Sequence, residues 1–174
     1  MKQAYIAGPL FDDHEREYLV KIADIVESFG FNTFLPHRDA GLVTGDFTFE
    51  KKVKIFDVDM EFLEPAELVV ALLTGRDVDS GTAAEIGYAF KSGKRLIGLS
   101  ANTIKPINNF VWGLFNYGND IVESLDDLKI LLGEEFGVGD LGFAVIMDQC
   151  WKMSHLFKDA MNKEQKERFI PQFV

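Results

Sequence analysis

Two carboxylates six residues apart, Asp79 and Glu85, frame the stretch Asp79-Ser80-Gly81-Thr82-Ala83-Ala84-Glu85-Ile86-Gly87-Tyr88-Ala89. An apolar run with the length and β-branched content of a buried strand, Leu68-Val69-Val70-Ala71-Leu72-Leu73, precedes it, and the residues after it suit a helix. The pattern is strand, loop, helix N-terminus. In open α/β sheets this is where ligands collect, because strand carboxyl ends and helix starts face one crevice. Gly81 and its small neighbours admit close approach to the backbone, and a carboxylate at such a place is a candidate nucleophile. The same residues also fit a purely structural role. Thr82-Ala83-Ala84-Glu85 matches the S/T-x-x-E capping box, and Asp79 suits an N-cap. Residue types alone leave the two readings open.

A second informative carboxylate is Asp59. In the helix expected over about Phe49 to Leu63, it has Ile55 four residues before it and Phe62 and Leu63 three and four after, which sets it on the apolar face. Asp57 lies off that face. A carboxyl group among apolar neighbours has its pKa raised by desolvation, which makes a general acid near neutral pH; a buried Asp that bridges a neighbouring segment is the competing reading.

The elements that must position these groups follow in order. Gln3 to Ala7 reads as a first strand ended by Gly8-Pro9, and about Asp13 to Phe29 as an amphipathic helix with Gly30 at its C-cap. Phe31 to Leu35 reads as a second strand, followed by a polar loop from Pro36 to about Asp46. That loop carries His37, Arg38 and Asp39, either as a solvated Arg–Asp pair or as substrate contacts. Arg95 to Leu99 is a fourth strand, and the loop Ser100 to Asn109 sits at its carboxyl end. Ile121-Val122 is a short fifth strand and Ser124 to Leu132 a helix capped by Ser124. Gly133 to Gly142, with four glycines, reads as a hinge or flexible loop. An apolar helix from about Phe143 to Phe157 carries Trp151, Met153 and His155.

Three segments together resemble the nucleoside 2-deoxyribosyltransferase family: Tyr5-Ile6-Ala7-Gly8-Pro9-Leu10-Phe11, the stretch Asp79 to Ala89 with its six-residue spacing to Glu85, and Lys105-Pro106-Ile107-Asn108. The resemblance implies a flavodoxin-like, doubly wound α/β fold with a mainly parallel five-stranded sheet and helices on both faces. It implies transfer of the 2-deoxyribosyl group between nucleobases through a covalent intermediate on a glutamate matched by Glu85, chemistry of the nucleoside-salvage kind. Asp59 aligns with the aspartate that helps protonate the base. Asn108, otherwise a turn asparagine, matches one that reaches the sugar from a neighbouring subunit, which implies a homo-oligomer with shared sites. On this reading Asp79 and Asn108 hold the sugar hydroxyls, Tyr5 orients Glu85, Phe11 stacks on the base, and Gly8 belongs to the substrate-binding residues. The carboxyl-terminal end departs from the shorter family members.

Composition narrows the classes. The chain of 174 residues predicts one domain over 1–174 with a helical extension from about 143. A net charge of −10 disfavours nucleic-acid partners. The scattered histidines 14, 37 and 155 and the lone Cys150 offer no metal-ligand spacing, and neither a metal nor a cofactor is expected. No apolar stretch is long enough to span a membrane and no signal-like segment leads the chain, so the expectation is a cytoplasmic protein acting on nucleosides and nucleobases. Two rivals to the transferase are a 2'-deoxynucleoside 5'-monophosphate N-hydrolase and a non-catalytic nucleotide-sensing module. The hydrolase needs a phosphate cradle after the first strand, where Asp12 and Asp13 would repel phosphate.

Overall fold

The computed structural model describes residues 1–41, 45–74, 77–100 and 106–137. Five strands, β1 (Lys2–Ala7), β2 (Phe31–Phe34), β3 (Leu68–Leu72), β4 (Arg95–Leu99) and β5 (Ile121–Val122), form one sheet in the order β2-β1-β3-β4-β5. Every pairing is parallel, with Tyr5 opposite Phe34 on one side and Val69 on the other. The α/β class and the five-stranded parallel sheet expected from the sequence are present. The chain divides into two compact units, Met1–Lys129 and Ile130–Val174, and the whole sheet belongs to the first.

Side chains alternate across the sheet, so each strand serves two cores. Tyr5, Ala7, Phe34, Val69, Ala71 and Leu96 share one buried cluster with Leu63, Ile86, Ala89, Val111 and Phe115 from the helices α3 (Phe49–Leu63), α4 (Ser80–Lys91) and α5 (Asn109–Leu114). Helix α1 (Asp13–Ser28) buries Leu19, Ile22, Ala23, Ile25 and Val26 and packs on β1 and β2. The switch of winding direction between β1 and β3 opens the crevice at their carboxyl ends.

Helix starts are fixed by short polar side chains. Of the two caps the sequence allows for α4, the capping box at Thr82–Glu85 is not formed. Asp79 caps α4 by accepting from the backbone N–H groups of Gly81 and Thr82 at 3.0 and 3.2 Å, which leaves Glu85 free of the helix terminus. A capping box is formed by Asp12 with Glu15, at the start of α1: Asp12 Oδ1 accepts from Glu15 N at 2.8 Å and Glu15 Oε2 accepts from Asp12 N at 3.3 Å.

The segment read as a loop from Pro36 begins with one helical turn, α2 (Pro36–Asp39), because proline at the first helical position is already set to helical φ. Asp39 accepts from Leu35 N at 2.7 Å and pairs with Arg38 at 2.9 Å; Arg38 also reaches Glu27 at 2.9 Å and Thr33 Oγ1 at 3.0 Å. The Arg–Asp pair expected as one reading of these residues is present, and through Glu27 Arg38 ties the end of β2 to α1. The helix α6 (Leu125–Phe136) runs through Gly133, so the hinge expected from Gly133 is helical for its first turn. The expected helix over 143–157 and Lys105 lie outside the described residues.

Candidate active site

Tyr5 is the centre of the site. Its position inside β1, between β2 and β3, leaves its side chain fully buried, and burying a phenol requires a partner for the hydroxyl. The hydroxyl donates to Glu85 Oε1 at 2.7 Å, across eighty residues of sequence. Asp59 of α3 also interacts with this hydroxyl. A strand side chain, one helix residue from the crossover before β3 and one from the crossover after it therefore converge. Ring packing walls the cluster: Phe34 stands 5.7 Å from Tyr5 and stacks in parallel on Phe62 at 4.0 Å between ring centroids.

The surroundings set the protonation of all three groups. Burial pushes the Glu85 carboxyl up to about 7; the Tyr5 hydrogen bond pulls the other way, and the charges of Asp59 and Asp79 add to the rise. Burial also lifts Asp59 to about 6, again opposed by Tyr5. Tyr5 is held far above the ordinary phenol range, first by burial and then by the charges of Glu85 and Asp59, so it remains a donor throughout the physiological range. Two carboxyl groups with displaced pKa values flank one fixed hydroxyl, the kind of pairing that separates a nucleophile from an acid.

The other residues singled out from the sequence are held in different ways. Asp79 stands at the N-terminus of the helix that carries Glu85, with its Oδ2 committed to the cap. Asn108 caps α5, accepting from Phe110 N at 2.9 Å through Oδ1, and is exposed at the carboxyl end of β4. Phe11 is 77% exposed, with its backbone N–H on Glu15. Gly8 has a packing reason to lack a side chain: a Cβ there would stand 2.6 Å from Leu19 Cδ2 and 3.2 Å from Leu72 Cβ. The sequence reading missed the Phe34–Phe62 stack as part of the site. Its signal was present in Phe62, three residues after Asp59 on the same helix face.

Among the described residues no group of three or more His, Cys, Asp or Glu side chains is arranged to hold a metal ion, and no helix is long and apolar enough to cross a membrane.

Similar architectures occur in solved structures. A conserved protein from Enterococcus faecalis is 26% identical with a TM-score of 0.59, over 74% of this chain and 95% of its own. A 2-deoxyribosyltransferase from Bacillus psychrosaccharolyticus is 21% identical with a TM-score of 0.60, over 73% and 90%. A CMP N-glycosidase from Clostridium botulinum is 18% identical with a TM-score of 0.53, over 75% and 98%. No curated protein matches the sequence. The family model described as nucleoside 2-deoxyribosyltransferase matches residues 4–166, a span that contains β2 to β5, most of β1 and all three members of the Tyr5–Glu85–Asp59 cluster, and the chain belongs to that family.

Proposed function

We propose that the protein transfers a 2-deoxyribosyl group from one nucleobase to another, with Glu85 as nucleophile and Asp59 as the acid that serves the base. The observation that carries this reading is the hydrogen bond from buried Tyr5 to Glu85 Oε1, with Asp59 beside the same hydroxyl. The bond fixes one carboxylate oxygen and leaves Oε2 for attack.

In the first step Oε2 of ionised Glu85 forms a bond to the anomeric carbon while the N-glycosidic bond breaks and its electron pair leaves with the base. Asp59 gives that base its proton. In the second step an incoming base attacks the glycosyl ester, Asp59 takes its proton, and Glu85 is released. Two inversions return the original anomeric configuration, the logic of retaining glycosidases. The reaction needs the one proton of the pair on Asp59 and not on Glu85; in the free protein Glu85, at about 7, holds a proton more tightly than Asp59, at about 6, and the Tyr5 hydrogen bond stabilises both anions, so substrate binding has to reverse that order. Asp79 and Asn108 are assigned to the sugar hydroxyls, Phe11 to the base, and Gly8 to substrate binding.

A nucleotide N-hydrolase uses a related scaffold but needs cations for a phosphate. In the segment after β1 the one such side chain among the described residues, Arg16, already pairs with Asp13 and donates to Leu10 O at 2.6 Å. A dianionic phosphate there would also meet Asp12 and Asp13. A nucleoside therefore suits the site better than a nucleotide.

Incubation of thymidine with adenine, followed by chromatography, tests the reading: deoxyadenosine is the expected product. A slowly turning-over 2'-fluorinated deoxynucleoside should leave its sugar on the peptide containing Glu85. Thymine without deoxyadenosine would replace transfer by hydrolysis, and a sugar attached to another residue would remove Glu85 from its role.

A further inference from the structure

Helix α3 buries little of itself, although it carries Asp59. Of its 15 residues only Leu63 is buried, and half-buried Val58 packs against the same cluster. Just beyond the helix Lys94 donates to Glu64 O at 2.6 Å and to Ala66 O at 3.0 Å. These contacts fix where the helix ends. Its rotation about its own axis depends on the side chains that bracket Asp59 one turn later, Phe62 and Leu63. Phe62 is 37% exposed, so it fills little of the core, yet its ring lies flat on the buried ring of Phe34, with centroids 4.0 Å apart and an interplanar angle of 3°. Phe34 in turn stands 5.7 Å from the Tyr5 ring, and the Tyr5 hydroxyl is the group with which Asp59 interacts. The contacts close a circuit: Tyr5 to Phe34, Phe34 to Phe62, one turn back along α3 to Asp59, and Asp59 to Tyr5.

We propose, on the role given to Asp59 above, that Phe62 is a positioning residue: by stacking on Phe34 it sets the rotation of α3 and so aims the Asp59 carboxyl at the Tyr5 hydroxyl and the leaving base. A flat ring pair suits this task because stacked faces resist the roll of the helix that would carry Phe62 off Phe34. The same roll swings Asp59 away from the hydroxyl. A general acid has to lie within hydrogen-bond reach of the atom it serves, so a small displacement disables it.

The test uses the full chain. Phe62→Ala should lower kcat/KM for base exchange about 10-fold or more, whereas Phe62→Tyr, which keeps the ring, should stay within about 2-fold of the native protein. Phe62→Leu keeps apolar bulk without the flat stack, and should fall between them with less risk to the fold. In an Asp59→Asn background Phe62→Ala should lower the rate little further, because a residue that acts through Asp59 then has nothing to aim. A 2-deoxyriboside with a nitrophenolate leaving group, which departs without a proton, should lose far less than a nucleoside. Equal losses with both leaving groups, or independent losses in the double variant, would overturn the proposal. Carboxyl 13C NMR of Asp59 needs no turnover: Phe62→Ala should lower its titration midpoint by about half a pH unit or more, because burial is the larger influence on this group, and Phe62→Tyr should leave it in place. A midpoint that moves in a chain that exchanges no base would remove the transfer reaction and keep Phe62 as the residue that positions Asp59. A midpoint unmoved by Phe62→Ala would overturn the proposal whether or not bases are exchanged.

Discussion

Replacing Glu85 by glutamine should make the protein more stable at pH 8 while abolishing turnover. Burial holds the Glu85 carboxyl at about 7 in the folded chain, against an ordinary value of 4.5. Between those pH values the folded protein binds a proton that the unfolded chain has released, so the stability contributed by this group falls as pH rises from 4.5 to 7 and stays low above it. Each pH unit in that window corresponds to about 1.4 kcal/mol, which sets a ceiling of about 3 kcal/mol; residual contact with water reduces it to about 1–3 kcal/mol. Glutamine has the same shape, still accepts the Tyr5 hydroxyl and carries no charge to desolvate. Thermal unfolding monitored by circular dichroism should therefore give equal Tm values for the two proteins near pH 4 and a Tm several degrees higher for Glu85→Gln at pH 8, at about 2–4 °C per kcal/mol for a chain of this size. Base exchange should fall by several orders of magnitude. A Tm gap of the same size at both pH values would show that titration of Glu85 is not its source, and no gain at pH 8 would refute the desolvation argument.

Two further outcomes follow from the same geometry. Tyr5→Phe removes the donor that favours the Glu85 anion, so kcat/KM should fall about 10- to 100-fold, in line with loss of a charge-assisted hydrogen bond, and the acid limb of the pH–rate bell should move to higher pH. An acid limb left in place would dissociate Tyr5 from Glu85 in catalysis. Gly8→Ala should cost about 1–3 kcal/mol in denaturant titrations, because the new methyl group meets Leu19 and Leu72; unchanged stability would mean that Leu19 rotates away freely.

The sheet was legible because each strand is a short apolar run bounded by Gly, Pro or polar residues, and β4 is read with the bounds it adopts. So is α3, whose apolar spacing is sustained over four turns. Capping of α4 stays open in the sequence for a physical reason: Asp79 and Thr82 can both cap it, and a sequence does not say which of them the chain turns at. Asp79 takes the role because the first turn begins at Ser80, which leaves Thr82 buried inside the helix. The cluster at the site was harder to read. Asp59 on the apolar face could be inferred from helix periodicity, but the meeting of Tyr5 with Glu85 depends on strand order, which no local pattern contains. Phe34 shows the same limit, since its stack on Phe62 joins the second strand to a helix that starts fifteen residues later.

The strand order also explains why these three side chains can be desolvated together without unfolding the domain. Because β1 lies between β2 and β3, Tyr5 is buried on both flanks by neighbouring strands, and its hydroxyl is held by the sheet rather than by a loop. The crossovers before and after β3 place α3 and α4 on the same face, so that each helix delivers one carboxyl group to that hydroxyl. Among the described residues neither carboxyl finds a cation there: the interactions that set the pKa values of Glu85 and Asp59 are burial, the Tyr5 hydrogen bond and, for Glu85, other carboxylates. A structural role for two such groups would be served better by salt bridges, of the kind the same chain makes between Arg95 and Asp120 at 2.6 Å. Leaving two acids to compete around a single hydroxyl lowers stability above neutral pH and creates a site that holds one proton between two carboxyls, which is the condition a glycosyl-transferring pair has to meet.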